Sequence, residues 1–86
     1  VSVGIVFFGA SWCRPCKAAW PLVQRMAEEF GTALDYVDVE TYDSRANDVT
    51  AIPTVRAYDE YGDVIAEVRG NVSQGQLDAF FGEFVG

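Results

Sequence analysis

Cys13 and Cys16 are the only cysteines among the 86 residues, and they stand three positions apart in Ser11-Trp12-Cys13-Arg14-Pro15-Cys16-Lys17. This stretch lies where a run of β-forming residues gives way to a helical pattern. Such a junction puts Cys13 at a helix N-terminus and Cys16 one turn along on the same side. The unpaired N–H groups and partial positive charge of that terminus favour an anion, so Cys13 is expected to ionise more readily than a free thiol and to act as a nucleophile. Cys16 is near enough to close a disulfide and to serve as the resolving thiol. Two blander readings compete. A purely structural bridge over so short a loop adds little stability, and two cysteines with no histidine cannot complete a thiolate and imidazole tetrahedron around zinc. Redox chemistry is the reading that uses the position of the pair, and no metal site is expected.

The elements that must hold the pair are legible in order. Residues 3–8 (VGIVFF) form a near-continuous apolar run, the pattern of a strand covered on both faces, and Gly9-Ala10-Ser11 breaks it. From residue 14 to 30 the apolar positions Ala18, Ala19, Leu22, Val23, Met26, Ala27 and Phe30 recur at helical spacing, with Gly31 as the stop signal. Pro21 interrupts that helix and should bend it around residues 18–21. Residues 33–39 (ALDYVDV) read as a second strand, with Leu34, Tyr36 and Asp38 facing opposite to Val37 and Val39. Residues 43–49 read as a short helix, and a helix between two strands brings them in parallel. Residues 54–58 (TVRAY) and 64–68 (VIAEV) are a third and a fourth strand, joined by a hairpin loop with Gly62 at the positive-φ position. Ser73 is an N-cap for a last helix whose apolar stripe is Leu77, Phe80, Phe81, Phe84 and Val85. The expected architecture is α/β, one domain over residues 1–86, with element order βαβ, a short helix, then ββα.

Composition narrows the partners. Half of the residues are apolar, which suits a packed globular domain. A formal net charge of −7 repels phosphate and makes nucleic acid and anionic membrane surfaces poor partners. Arg14, Lys17 and Arg25 nonetheless all fall in the segment that begins at the cysteines, so that segment is locally cationic. The apolar opening is too short for a membrane span and lacks a basic leader. A close cysteine pair with no other cysteine suits a reducing compartment, here the cytoplasm.

Four stretches in this order resemble the thioredoxin family. Phe8-Gly9-Ala10-Ser11-Trp12-Cys13-Arg14-Pro15-Cys16-Lys17 is similar to that family's strand and WCxPCK site. Ile52-Pro53-Thr54 resembles its IPT segment, Pro21 its helix-kinking proline, and residues 70–77 (GNVSQGQL) its glycine-led turn into the last helix. The resemblance implies a shortened thioredoxin fold, a four-stranded mixed sheet flanked by helices, without the family's first strand and helix. It also marks departures. Phe7 and Tyr36 match positions where the family carries a buried Asp that helps deprotonate the resolving cysteine, and its Lys partner. Gly9 stands where a large aromatic is usual, and Arg14 where Gly is common. Redox potential and partner choice are therefore expected to differ from a typical member.

Read through the resemblance, Cys13 and Cys16 are the catalytic pair, while Trp12, Ile52, Pro53 and Gly70 contact the substrate. Arg14, Pro15 and Lys17 tune the pair. Only about 5–6% of X-Pro bonds in folded proteins are cis, yet the resemblance implies a cis bond before Pro53. That bond would turn the backbone of Ala51 and Ile52 outward beside Cys13 for an extended substrate strand. It also implies Glu40 as acceptor for the Trp12 indole N–H. Arg14 and Lys17 are either solvated charges or helpers of the thiolate and of an acidic partner, since cations oppose the dipole at a helix start. Trp20 is core or an exposed contact. The expected function is thiol–disulfide exchange on protein disulfides by a monomer with no bound cofactor, with electrons from a thioredoxin-reductase-like flavoprotein. Two rivals stand beside it: a glutaredoxin-like enzyme fed by glutathione, and a structural subunit that uses this fold to clamp a larger protein.

Overall fold

The computed structural model describes residues 4–70 and 72–84. Val3, Asn71 and Val85, which enter the expectations above, lie outside the described residues. The elements in order are β1 (Gly4–Gly9), α1 (Arg14–Phe30), β2 (Ala33–Asp38), a single 3-10 turn (Ser44–Ala46), β3 (Thr54–Tyr58), β4 (Val64–Arg69) and α2 (Gln74–Phe84). The sheet order is β2-β1-β3-β4. β1 runs parallel to β2, pairing Phe7 with Tyr36, and antiparallel to β3, pairing Phe7 with Val55. β3 is antiparallel to β4, with an irregularity at Ala57/Tyr58.

The apolar run of β1 is buried from Ile5 to Gly9 because alternate side chains enter two different clusters. Ile5 and Phe7 join Val55 and Ala57 under both helices, against Ala19, Val23, Met26 and Ala27 of α1 and Leu77, Phe80 and Phe81 of α2. Val6 and Phe8 point the other way with Val37, and there Val39, Ala46, Val49 and Tyr58 cover them instead of a long helix. The Arg56 guanidinium completes that cover, 5.2 Å from the centre of the Phe8 ring.

Arg56 is 5% exposed although it is charged. Its Nε donates to Glu67 Oε2 at 2.6 Å and its Nη1 to Asp48 Oδ1 at 3.0 Å and to the Arg45 carbonyl at 3.3 Å. Burial works against the charge, but Tyr58, Glu67 and Asp48 more than offset it, so the guanidinium pKa is held above its ordinary value. The position reads from sequence as an ordinary strand residue; the tertiary contacts make it the clamp of the second face.

The caps explain the ends of the helices. Gly31 adopts φ 63°, its N–H reaches Ala27 and Glu28 carbonyls, and Thr32 N donates to Ala27 O at 3.0 Å, closing α1 in the left-handed manner glycine permits. α1 remains one element across Pro21; the lost backbone bond is outweighed by burial of its apolar stripe. At α2, Ser73 Oγ accepts from Gln76 N at 3.3 Å while Gln76 Oε1 accepts from Ser73 N at 3.0 Å, a reciprocal cap. Gly62 takes φ 82° in the β3–β4 hairpin, as its turn requires.

One expectation is corrected. The short helix over residues 43–49 is only the turn Ser44–Ala46, capped by Asp43 Oδ1 accepting from Arg45 N at 2.9 Å. The chain stays at the end of the sheet where β2 stops, and β3 runs antiparallel to β1, which gives the four-stranded mixed sheet that the resemblance implies. No helix of the described residues is long and apolar enough to cross a membrane.

Candidate active site

The cysteines sit where β1 hands over to α1. Gly9 ends the strand, Cys13 N donates to Ala10 O at 3.1 Å to close the turn, and Cys13 becomes the N-cap of α1 with extended φ −83° and ψ 107°. From there its sulfur accepts the Cys16 backbone N–H at 3.3 Å, one of the donors that a helix start leaves without a partner. Pro15 falls in the first turn, where its missing N–H costs no helical bond. The two cysteines are joined in a disulfide with Cα atoms 5.2 Å apart. Cys13 is 5% exposed and Cys16 2%, so of the two residues the N-cap one is nearer the surface. Once reduced, Cys13 faces an N–H donor and the positive end of a 17-residue helix, both of which favour its thiolate.

Around the pair the sequence-predicted residues assemble in part. Trp12 is 65% exposed, and its Nε1 donates to Glu40 Oε1 at 2.8 Å, the acceptor that the resemblance implies. Glu40 is itself positioned by Asp38, whose Oδ1 accepts the Glu40 N–H at 2.8 Å. The Ile52–Pro53 bond is cis. Trp12, Val39, Val49, Thr50, Ala51 and Ile52 line a shallow groove of about 150 Å³ beside the cysteine turn. The Ala51 carbonyl accepts from Thr54 Oγ1 at 2.6 Å, which fixes its direction at the Pro53 turn. Gly70, at φ 78°, donates its N–H to Pro53 O at 2.8 Å, which fastens the Pro53 turn to the end of β4, while its carbonyl accepts from Val72 N at 3.0 Å within the turn that leads to α2. Arg14 and Lys17 are exposed, and neither has a hydrogen bond or ion pair with another described residue through its side chain.

Three aromatic rings beside the site form a group that sequence reasoning does not assemble. Trp20 packs edge-on against Phe7 at 5.2 Å and against Tyr36 at 5.0 Å, and Phe7 stacks on Tyr36 at 5.5 Å. The signal is present in pieces: Trp20 follows Cys16 by four positions on one helix face, and Gly9 leaves room for a ring supplied from elsewhere. Tyr36 is 38% exposed, and its pKa is raised first by partial desolvation and second by the charge of Asp38.

A family model described as Thioredoxin matches residues 2–83. The mitochondrial thioredoxin of Mus musculus is 35% identical over 86 residues, which is 95% of this chain and 51% of that protein. The chain thus spans about half the length of the mitochondrial relatives it matches. Among solved structures, a mutant thioredoxin from Halobacterium salinarum is 26% identical and superimposes with a TM-score of 0.84 over 99% of this chain and 76% of that one. Reduced Schistosoma mansoni thioredoxin pre-protein is 28% identical, with a TM-score of 0.83 over 98% and 80% of the two chains. Sequence and backbone shape agree over the same span, with the cysteine pair at the helix start in the place the motif demands, and the chain belongs to the thioredoxin family.

Proposed function

We propose that this chain, acting as a single monomeric domain over residues 1–86, carries out thiol–disulfide exchange on protein disulfides. The observation that carries the reading is the Cys13 sulfur at the N-cap of α1, accepting the Cys16 N–H and bonded to Cys16. Cys13 thiolate attacks one sulfur of the substrate disulfide, expels the other as thiolate and forms a mixed disulfide. Cys16 then attacks Cys13 Sγ, which closes the Cys13–Cys16 bond and releases the reduced substrate. The groove under Trp12 and Ile52 supports an extended substrate strand lying beside the pair. Arg14, Pro15 and Lys17 modulate the thiolate from the exposed side of the first turn.

Reducing equivalents come from a thioredoxin-reductase-like flavoprotein, with no cofactor bound to this chain. A glutathione supply is the second reading, favoured by Phe7 and Tyr36 in place of a buried ion pair. The cysteine usage suits the cytoplasm, and the similarity to mitochondrial thioredoxins makes the mitochondrion the alternative compartment.

The test is reduction of a protein disulfide substrate, run with either thioredoxin reductase or glutathione plus glutathione reductase as electron source. The parent should turn over with the first. Cys16→Ser should accumulate a mixed disulfide, Cys13→Ser should accumulate none, and alkylation of the reduced parent should label Cys13 first. A parent inactive with both sources, or a Cys13→Ser and Cys16→Ser double variant that preserves the biological function, would show a structural subunit instead.

A further inference from the structure

Gly9 leaves an opening that three side chains share. A Cβ at Gly9 would lie 2.9 Å from Phe7 Cε1, 3.0 Å from the Tyr36 hydroxyl oxygen and 3.3 Å from Cys16 Cβ. The Tyr36 hydroxyl and the Cys16 side chain therefore border the same gap, and Gly9 places no side chain between them. Cys16 Sγ is one bond beyond the atom that borders it. The phenol ring is held in this pose by stacking on Phe7, with 23° between the ring planes, and by the edge of Trp20. The hydrogen bond the structure gives to Asp35 Oδ1 is made by the Tyr36 backbone N–H, so it does not engage the hydroxyl.

We propose that the Tyr36 hydroxyl donates a hydrogen bond to Cys16 Sγ and stabilises it as the thiolate that resolves the mixed disulfide. This inference rests on the exchange reading above. In the step concerned, Cys16 has given its proton to solvent and its thiolate attacks Cys13 Sγ. A Cys13–Cys16 bond forms, the bond from Cys13 to the substrate sulfur breaks, and that sulfur leaves with the electron pair and is protonated by solvent. The two cysteines are oxidised as the substrate disulfide is reduced, and Tyr36 keeps its proton throughout. The phenol is a donor at neutral pH as tyrosine ordinarily is, and the upward shift from desolvation and from the Asp38 charge leaves it one.

Among the described residues, few other titratable or charged groups face this pair. β2 brings Asp38, and the first turn of α1 brings Cys13, Arg14 and Lys17. β1 and β3 present Ile5, Phe7, Gly9, Val55 and Ala57 on this side, and α2 its apolar stripe. A change in the pH response on removing one oxygen atom can thus be traced to that atom.

Tyr36→Phe keeps the ring and removes the hydroxyl. Reduced parent and variant are mixed by stopped flow with one equivalent of 5,5′-dithiobis(2-nitrobenzoate), whose two coloured thiolates leave in turn, the first on Cys13 attack and the second on Cys16 attack. In the variant the second phase should slow by about three- to tenfold near pH 7, because the lost hydrogen bond lowers the thiolate fraction while the less stabilised thiolate is the better nucleophile, so only part of the bond's worth appears in the rate. Its pH midpoint should move upward and the first phase should stay unchanged. If the parent gives no second release, the exchange reading itself fails. If the parent releases both thiolates and the variant matches it in rate and midpoint, or slows in both phases alike, Tyr36 is a packing residue and the assignment is overturned.

Discussion

Arg14 separates Cys13 from Pro15 on the exposed side of the first turn, where a cation works against the helix dipole and toward the thiolate beside it. An exposed charge of this kind is worth about 0.3–1 kcal/mol. For a two-electron couple that is roughly 6–20 mV. Arg14→Gly is therefore expected to lower the reduction potential by about that amount, with part of the effect lost at high salt. Redox titration of both proteins in the same glutathione buffers checks this, and an unchanged or higher potential would leave Arg14 as a contact or an ordinary surface charge. Phe7 makes the opposite kind of residue-level case. It is fully buried, and its ring neighbours Trp20 and Tyr36 supply no cation. Phe7→Asp should cost about 3–5 kcal/mol in urea unfolding near pH 7, from lost packing and an unpaired carboxylate. Burial would raise that carboxyl's pKa above its unfolded value. The deficit should therefore shrink as pH falls below that raised value, where the acid is neutral in the folded state.

Among the elements, the Ser44–Ala46 turn depends most visibly on charge. Asp43 caps it and also accepts from Arg45 Nε at 3.1 Å and Nη2 at 2.8 Å, while Arg45 reaches Asp35 on β2 at 3.1 Å. The Arg45 side-chain bond, then its backbone N–H, hold the Asp43 carboxyl down to about 2. A depressed carboxylate stabilises the fold fully above its unfolded pKa of about 3.9, and that contribution disappears as pH falls through about 2. Asp43→Asn should accordingly flatten the acid limb of the stability curve between those values and change little at neutral pH beyond a constant offset. Thermal midpoints measured across that range decide it; a limb as steep as the parent's would assign the acid response to other carboxylates.

At the scale of the molecule, both helices serve one face of the sheet and Arg56 helps close the other. It ties β3 to β4 through Glu67 and both to the loop after the 3-10 turn through Asp48, and its pKa stays above the ordinary value while it is buried. Arg56→Ala removes this link and the cover over Phe8, and it leaves Glu67, whose side chain is partly exposed, with Arg69 at 3.8 Å as its remaining cation. The expected cost is about 1–3 kcal/mol, from the lost packing over Phe8 and the lost charge-assisted hydrogen bonds to partly exposed partners, measured by urea unfolding. Arg56→Met keeps an apolar stem over Phe8 and should lose less. Equal losses would mean that the charge contacts, and not the cover, hold that face.

What the sequence determined by itself was everything that depends on neighbours in the chain. Apolar periodicity placed the four strands and two helices, Gly31, Gly62 and Ser73 marked a helix end, a turn and a cap, and the spacing of Cys13 and Cys16 announced the chemistry. These signals are local because backbone conformation and capping involve residues within about one helical turn. The cis Ile52–Pro53 bond and the Trp12–Glu40 pairing were accessible only through resemblance to a family. The rest belongs to the tertiary structure. Whether Arg56 is buried depends on Glu67 and Asp48, which reach it from another strand and another loop. That the segment between β2 and β3 holds only the turn Ser44–Ala46 was likewise decided by its tertiary contacts, through Arg45 to Asp35 and Arg56 to Asp48. Gly9, Phe7, Tyr36 and Trp20 belong to β1, β2 and α1, and they become one environment for Cys16 only when parallel pairing sets Phe7 beside Tyr36 and the helix lays Trp20 across both.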